Sequence, residues 1–371
     1  MKRRDFGKAL SAGSIGAVAA SCGKTEAVDT SAPKKEVLMY VGCQSGGTSK
    51  ENLEFKARCG VFNIDGGAPK VIDGVGWDLE DSKKKFADCE KYGITLDAYH
   101  LPLSSAGIDR ARYPNIMLGK SPERDREIEI IQQMIEVAGK TGVRCLNYNT
   151  TIHPVLRTER TLDPTRGNAS YSTWNYEEAL AENKPKTIAG DVDIDTMFER
   201  ITYLLDRLLP VAEEWKVQLG NHIADPPTPV GFRGITRWNS PKIFEGVKKF
   251  CQLYDSPYHG LNLCIGSTAE GMVDPNTEIH PLLTWVGERK QLFNIHFRNI
   301  KGGWNDFQEV YPDNGDMNFY EVVQTLRDCG YPYMLMPDHV PAHPDPLSGT
   351  QGFAFSYGYI IGLLQALKAE A

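Results

Sequence analysis

The segment LFNIHFRNIKGG, residues 292–303, begins as the apolar run of a buried strand and is then interrupted by His296, Arg298 and Lys301. Similar short apolar runs recur along the chain, and amphipathic helical stretches alternate with them. The predicted strands, eight in all, cover residues 37–42, 60–65, 94–101, 143–149, 217–223, 260–266, 292–300 and 333–339. Eight strand–helix pairs in one α/β chain favour a (β/α)8 TIM barrel over an open sheet.

Two features of the predicted barrel stand out from the chain pattern. The clearest helices are predicted over residues 123–140, 194–215, 318–329 and 359–369. The connections after the fourth and fifth strands, residues 150–191 and 224–240, are too long to be simple turns. Loops of this length often act as functional lids, although a variable surface loop is the alternative for the first of them.

The N-terminal residues carry an export signature. Adjacent Arg3 and Arg4 precede a weakly apolar, Gly/Ala-rich run that is too short for the roughly 20 residues of a transmembrane helix. Residues 1–22 are therefore predicted to be a twin-arginine signal segment, which directs the folded protein to the periplasm. The residues before Cys22, AASC, resemble a lipobox without its usual leucine. A lipidated Cys22 would tether the chain to a membrane, whereas plain cleavage would release it, and both remain open.

Composition bounds the rest of the chain. Residues 23–36 are polar, as in a tether, and residues 37–371 are predicted to form a single catalytic domain. A net charge of −7 over 371 residues is unfavourable for binding nucleic acid, so that class of partner is excluded. The 8 cysteines show no disulfide framework, and six of them are predicted to be free core thiols: Cys43, Cys59, Cys89, Cys145, Cys251 and Cys329. A homo-oligomer is compatible with this composition.

Four candidate metal ligands fall late in the last four predicted strands: His222, Cys264, His296 and Asp338. Their separations of 42, 32 and 42 residues allow them to meet, because the carboxyl ends of parallel barrel strands gather on one face. Two imidazoles, a thiolate and a carboxylate favour a divalent transition metal, Mn²⁺, Fe²⁺, Co²⁺ or Zn²⁺, without choosing among them. A structural zinc site is less favoured, because its ligands usually come in short-spaced pairs.

Further polar residues are predicted at the same barrel mouth. Arg298 lies on the same side of its strand as the seventh-strand histidine, where it could hold a carboxylate, and His339 could transfer a proton. Asn149 ends the fourth strand, and Arg157 and Arg160 on the following segment could close over an anionic substrate. This set predicts a small sugar acid as substrate. Dehydration, isomerisation and epimerisation all begin with proton abstraction beside a metal-polarised carbon, so the residues alone do not separate them.

Several segments, in order and spacing, resemble signature segments of bacterial mannonate dehydratases, a family of the xylose-isomerase-like barrel superfamily. These segments are CLNYN from Cys145, RTERT from Arg157, HIADPP from His222, CIGS from Cys264, IHFRNIK from Ile295, GDMNFYEVV from Gly315 and MPDH from Met336. The likeness runs from about Trp77 to the C-terminus. It implies conversion of D-mannonate to 2-keto-3-deoxy-D-gluconate and water, with Mn²⁺ or a similar ion.

The resemblance also implies roles for individual residues. It assigns metal binding to the four strand-end ligands, proton transfer to His339 and substrate contact to Arg298. The chain departs from the family pattern at Ala224, where the family has an acid, and before RTERT, where a tryptophan is absent. Phe353 replaces a family tyrosine and cannot donate a proton. Two alternatives therefore stand beside a metal-dependent hydro-lyase: a sugar isomerase or epimerase on the same barrel, and a surface-tethered sugar-acid-binding protein without turnover.

Overall fold

The structure, a computed structural model, describes residues 35–44 and 46–370. The predicted signal segment 1–22, with Cys22, and all but the last two residues of the predicted tether lie outside the described residues. Those assignments stay predictions. Among the described helices, none combines the length and the apolar character needed to cross a bilayer.

Eight parallel strands form the barrel, as predicted. They are β1 (Tyr40–Val41), β2 (Asn63–Gly66), β3 (Thr95–His100), β4 (Cys145–Tyr148), β5 (Gln218–His222), β6 (His259–Cys264), β7 (Leu292–His296) and β8 (Met334–Met336). From β2 to β8 each strand pairs with the next in sequence, and β8 also pairs with β1, which leaves a gap between β1 and β2. The remaining gap is bridged just beyond β1, where the Asp65 amide donates to the Cys43 carbonyl at 2.7 Å. The prediction of a (β/α)8 barrel is confirmed.

One long helix follows each strand. The helices are α1 (Lys50–Arg58), α2 (Leu79–Glu90), α3 (Glu123–Thr141), α4 (Ile194–Trp215), α5 (Ile243–Cys251), α6 (Pro275–Glu288), α7 (Phe319–Asp328) and α8 (Ser348–Ala369). Short helices also occur at Ile108–Arg110, Pro114–Leu118, Pro164–Arg166, Tyr176–Ala181 and Ile265–Ala269. The predicted start of the last helix at residue 359 was wrong, since α8 begins at Ser348. Glycines at 349, 352 and 358 weaken the helical pattern of its first half.

The seventh predicted strand, residues 292–300, is also wrong as a single element. β7 ends at His296, and the chain resumes in an antiparallel hairpin formed by strands Asn299–Gly303 and Asp306–Val310. Between them, the Phe297 amide donates to the Met336 carbonyl of β8 at 2.6 Å, and Arg298 turns into a buried cluster of carboxylates. The strand therefore breaks where the buried Arg298 guanidinium needs carboxylate partners. The periodicity of apolar residues does not reveal such a requirement.

The segment after β4 is long, as predicted, but it is not a plain loop. It contains short strands at Thr161–Asp163, Ala169–Tyr171 and Thr173–Asn175. The third of these pairs with strand Asp306–Val310, so that this segment and the β7 hairpin share a three-stranded antiparallel sheet. The segment after β5 has no strand of its own within the described residues and is held by isolated bridges such as Val192 to Ile235.

The core lies between the barrel strands and the helices. Apolar residues from all eight strands and from α3, α4 and α6 are buried there. The predicted free thiols are confirmed for Cys89, Cys145 and Cys251, which are buried, and for Cys59 and Cys329, which are only partly so. Cys43 is also buried, and its Sγ accepts from the Tyr357 hydroxyl. The eight strand ends that open onto one face are thereby held on a rigid support.

Candidate metal and substrate site

The four predicted ligands converge at the carboxyl ends of β5 to β8. His222, Cys264 and His296 are the last residues of β5, β6 and β7, and Asp338 lies two residues past β8. Each of the first three offers a donor atom within 4.8 Å of the others. His222 Nε2 lies 3.1 Å from His296 Nδ1, which lies 3.7 Å from Asp338 Oδ2. Cys264 Sγ lies 3.8 Å from the same carboxylate oxygen.

These separations fit a common transition-metal ion. Metal–ligand bonds of about 2.0–2.3 Å in a tetrahedral arrangement place donor atoms about 3.3–3.8 Å apart. The second nitrogen of each imidazole has its own partner in the protein. His222 Nδ1 donates to the Ile223 carbonyl at 2.6 Å, and His296 Nε2 lies 3.1 Å from Asn262 Nδ2. Turning the Asn262 amide over would bring its Oδ1, which is buried without a partner among the described residues, into position to accept from His296 Nε2. Such partners orient a ligating histidine and leave its other nitrogen directed at the ion.

The electrostatic surroundings favour the metal-binding forms of Cys264, His296 and Asp338. For His222, burial opposes a charge on the ring, but the hydrogen bond with Cys264 and the charges of Cys264 and Asp225 raise its pKa. Burial would raise the pKa of the Cys264 thiol, but the Arg298 guanidinium, 3.4 Å from the sulfur, and the hydrogen bond with His222 together outweigh it and lower that pKa. Burial holds the pKa of His296 well below its ordinary value and so keeps the ring neutral. For Asp338, burial opposes ionisation, but the neighbouring His339 and Arg298 cations lower the pKa to about 2. The site is therefore rich in anionic and neutral donors at neutral pH.

A second group of acids lies beside the ligands. Asp225, Glu270 and Glu309 are buried and place carboxylate oxygens within 4.8 Å of one another. Two guanidinium groups already occupy the space among them. Arg298 reaches Glu270 at 2.9 Å, Glu309 at 3.0 Å and Asp225 at 3.3 Å. Arg157 reaches Asp225 at 2.5 Å and also contacts Glu309. The cluster is thus an internal ion network held by two guanidinium groups, in which Glu270 Oε2 alone is buried without a hydrogen-bond partner among the described residues.

Arg298 joins this ion network to the metal ligands. Its Nε lies 3.4 Å from Asp338 Oδ2, in addition to its contact with the thiol of Cys264. The guanidinium lies directly over Gly266, where a Cβ would come within 2.7 Å of Arg298 Cζ. Gly266 in the CIGS segment is therefore required for this close approach.

A cavity of about 200 Å³ opens beside the ligands. It is lined by Gln44, His100, Leu101, Ser104, Ser105, Asn149, Val155, His222, Asp225, His296, Asp338 and His339. Three of the four predicted metal ligands and the predicted residues Asn149 and His339 thus share one polar cavity, whose size suits a small molecule.

His339 stands at the wall of this cavity with 47% of its side chain exposed. Its Nδ1 lies 3.2 Å from Glu309 Oε2, and its Nε2 lies 3.3 Å from Asp338 Oδ2. Desolvation opposes a charge on the ring, but the two carboxylates outweigh it and raise the pKa of His339 to about 9. The imidazole therefore carries a proton at neutral pH.

The predicted arginines do not line the cavity. Arg298 is 3% exposed, and its nitrogens face protein acceptors, so a substrate would have to displace a carboxylate to reach it. Arg157 is bound in the same ion network. Arg160 donates to Ser170 and Ser172 of its own segment at 2.8 Å. Their predicted contacts with substrate are thus not formed by this arrangement.

Neither Tyr357 nor Tyr359 supplies the cavity with the phenol group that Phe353 lacks. Phe353 packs partly buried against the core, its ring centroid 6.0 Å from that of Tyr357. The Tyr357 hydroxyl is buried and donates to Cys43 Sγ at 2.7 Å, and Tyr359 stacks on Phe355. Among the described residues of the cavity wall, none is a tyrosine.

Sequence reasoning missed several residues of the site. The HIADPP segment contains Asp225, and β3 ends in His100, whose Nε2 lies 2.8 Å from buried Asp65, so strand-end position was a usable signal for both. Glu270 is the C-cap of the short helix Ile265–Ala269, which follows Cys264. An acidic residue at such a position is ordinarily expected to face solvent. Glu309 lies on the extra hairpin, and no local pattern in the sequence points to it.

Comparison with known proteins places this site in a family. Residues 168–371 match the family model described as D-mannonate dehydratase (UxuA). Mannonate dehydratases of Thermotoga neapolitana and Enterococcus faecalis are similar at 26% and 24% identity, over 83% and 84% of this chain and 91% and 92% of theirs. The crystal structure of mannonate dehydratase from Streptococcus suis serotype 2 superposes with a TM-score of 0.72 at 24% identity, covering 90% of this chain and 95% of that one.

A more distant solved structure shares the fold alone. The xylose isomerase domain protein from Planctomyces limnophilus superposes with a TM-score of 0.54 at 14% identity, over 92% of this chain and 100% of that one. Because the family model covers more than half of the chain, including β5 to β8 and all four candidate ligands, the protein belongs to the D-mannonate dehydratase (UxuA) family.

Proposed function

We propose that this protein removes water from D-mannonate to give 2-keto-3-deoxy-D-gluconate. The observation that carries the proposal is the convergence of His222, Cys264, His296 and Asp338 beside a small polar cavity, in a chain whose relatives are mannonate dehydratases. This cavity suits a sugar acid, since its walls offer hydroxyl, amide and imidazole groups.

We propose that these four side chains hold one divalent transition metal, with Mn²⁺ as the first choice and Fe²⁺, Co²⁺ or Zn²⁺ as alternatives. Such an ion would supply Lewis acidity that polarises a substrate carboxylate or hydroxyl. The protein's own contribution is to favour the ionised forms of the Cys264 thiol and the Asp338 carboxylate, through the buried cation of Arg298 that contacts both. Arg298 thereby acts as a positioning residue for two ligands.

Dehydration requires one proton to leave a carbon and another to reach the departing hydroxyl. His339 is protonated at neutral pH and lines the cavity, so it is the candidate donor to the hydroxyl. His100 is the second cavity imidazole outside the ligand set, and Asp65 holds its Nε2 at 2.8 Å. This contact leaves Nδ1 as the nitrogen that can take a proton, so we assign His100 as the candidate base. Asn149 on the same wall is positioned to bind a substrate hydroxyl.

Replacing either imidazole should impair proton transfer and spare metal binding. For His339→Gln and His100→Gln we expect kcat to fall by about 10²–10⁴-fold, the usual contribution of a positioned acid or base. Metal content, measured by elemental analysis, should stay near that of the unchanged protein. His343→Gln is the matched control, because His343 lies near Asp345 and outside the cavity. A His339 variant with unchanged kcat would refute the assigned donor role.

A direct assay tests the function itself. Protein loaded with Mn²⁺ is incubated with D-mannonate and with a panel of other aldonates and aldoses, and the products are followed by mass spectrometry. We expect a keto acid lighter than D-mannonate by one water. An interconverted sugar of unchanged mass would instead indicate an isomerase or epimerase. Aldonate binding by calorimetry without product over hours would indicate a binding protein.

A further inference from the structure

Arg237, in the segment after β5, is buried and forms no ion pair with any described residue. It is 3% exposed, and its Nη2 donates to the Pro154 carbonyl at 2.9 Å. Its Nε and Nη1 are buried and have no hydrogen-bond partner among the described residues. Burial of the guanidinium lowers the pKa of Arg237 to about 10. A buried cation with two unsatisfied donors is unfavourable unless something else neutralises it.

The nearest acid cannot serve as that partner. Asp225 already accepts from Arg157 at 2.5 Å, from Ser267 at 3.0 Å and from Arg298 at 3.3 Å. Both of its oxygens are therefore engaged on the side of the metal site. No carboxylate of the described residues lies within ion-pair distance of Arg237, so Asp225 and Glu270 compensate the guanidinium only from a longer distance.

Arg237 lies in the wall of a small closed space. The space is lined by Thr150, Thr151, Ile152, His153, Met197, Ala224, Ile235, Arg237 and Trp238. Its free volume of about 10 Å³ admits a single water molecule or monatomic ion. Thr150 Oγ1 accepts from the Asn221 amide at 3.3 Å, which leaves its own hydroxyl proton free for another acceptor. The Arg237 guanidinium and the Thr150 hydroxyl therefore offer hydrogen-bond donors for which the described residues supply no acceptor.

We propose that Arg237, with the hydroxyls of Thr150 and Thr151, binds a single halide-sized anion, chloride in solution. Such an anion accepts hydrogen bonds from the unsatisfied donors and neutralises the buried charge, whereas a water molecule would satisfy the donors and leave the charge. Larger oxyanions such as sulfate are excluded by the size of the space. The anion would fasten the segment after β5 to the segment after β4, directly behind the cavity residue Asn149.

A crystallographic experiment locates the ion. Crystals of the metal-loaded full chain are grown in bromide instead of chloride, and anomalous diffraction is recorded at the bromine edge. We expect an anomalous peak between Arg237 and the two threonines. A water-sized feature without anomalous signal at that position would overturn the proposal.

A solution experiment tests the charge. The melting temperature of the metal-loaded chain is measured as chloride replaces methanesulfonate at constant ionic strength. For a site filled at about ten times its Kd, we expect a rise of about 2–4 °C. Ala224→Asp places a carboxylate in the wall of the space and should abolish the rise. Ala224→Ser, small and neutral, should retain it. A rise unaffected by Ala224→Asp would assign the halide effect to another site and contradict the proposal.

Discussion

Cys264→Ser should lose the metal and, with it, the dehydratase activity. The substitution removes the thiolate donor, and a serine hydroxyl remains protonated at neutral pH. We expect metal affinity to fall by at least about 100-fold and turnover of D-mannonate by about 10³-fold or more. Affinity is measured by competition with a chromophoric chelator, and turnover by release of the keto acid.

Cys329→Ser provides the matched control for this substitution. Cys329 is partly buried at the end of α7, and its Sγ donates to the Leu326 carbonyl at 3.3 Å, a bond that a serine hydroxyl can also make. We expect this variant to keep its metal and its activity. If Cys264→Ser bound metal as tightly as the control, the assignment of Cys264 as a ligand would be wrong.

Arg298→Met should be the most destabilising substitution in the site. It removes the cation shared by Asp225, Glu270, Glu309 and Asp338. Burial and Asp225 already raise the pKa of Glu270 well above its ordinary value, and the buried negative charges of the other three acids are then opposed by Arg157 and His339. Breaking a buried ion pair typically costs about 3–5 kcal/mol, so we expect the free energy of unfolding to fall by about that amount. Urea denaturation followed by circular dichroism measures the change.

Arg160→Met is the control that distinguishes the loss of the buried ion network from the loss of any arginine side chain. Arg160 donates to serine hydroxyls and a carbonyl at the surface, with no ion pair among the described contacts. A surface change of this kind is expected to stay within about 0.5 kcal/mol. Equal unfolding free energies for the two variants would show that the buried network contributes no stability beyond that of a surface contact.

The metal ligands at the ends of the barrel strands could be predicted from the sequence, because the carboxyl ends of parallel barrel strands lie on one face. The ligands His222, Cys264 and His296 close strands whose apolar runs are visible in the chain, and parallel topology brings such ends together. Their convergence therefore required no knowledge of loop structure. The same rule would also have found His100, which ends β3.

The sequence could not predict how the charges near the ligands are distributed. The predicted strand placed Arg298 two residues after His296, on the same side, which favoured contact with substrate. The observed strand ends at His296, and the side chain of Arg298 turns into the protein. Its partner Glu309 lies on a hairpin whose strand Asp306–Val310 also pairs with residues 173–175, about 130 positions earlier. Contacts of this range depend on tertiary packing and leave no periodic trace.

Cobalt titration tests the central claim, that one ion is held jointly by the thiolate, the two imidazoles and the carboxylate. Co²⁺ bound to a thiolate shows an intense ligand-to-metal charge-transfer absorption, whereas carboxylate-only sites do not. We predict that the metal-free chain binds one Co²⁺ with this absorption and that Cys264→Ser lacks it. Binding without the thiolate absorption, such as at the cluster of Asp225, Glu270 and Glu309, would contradict the account.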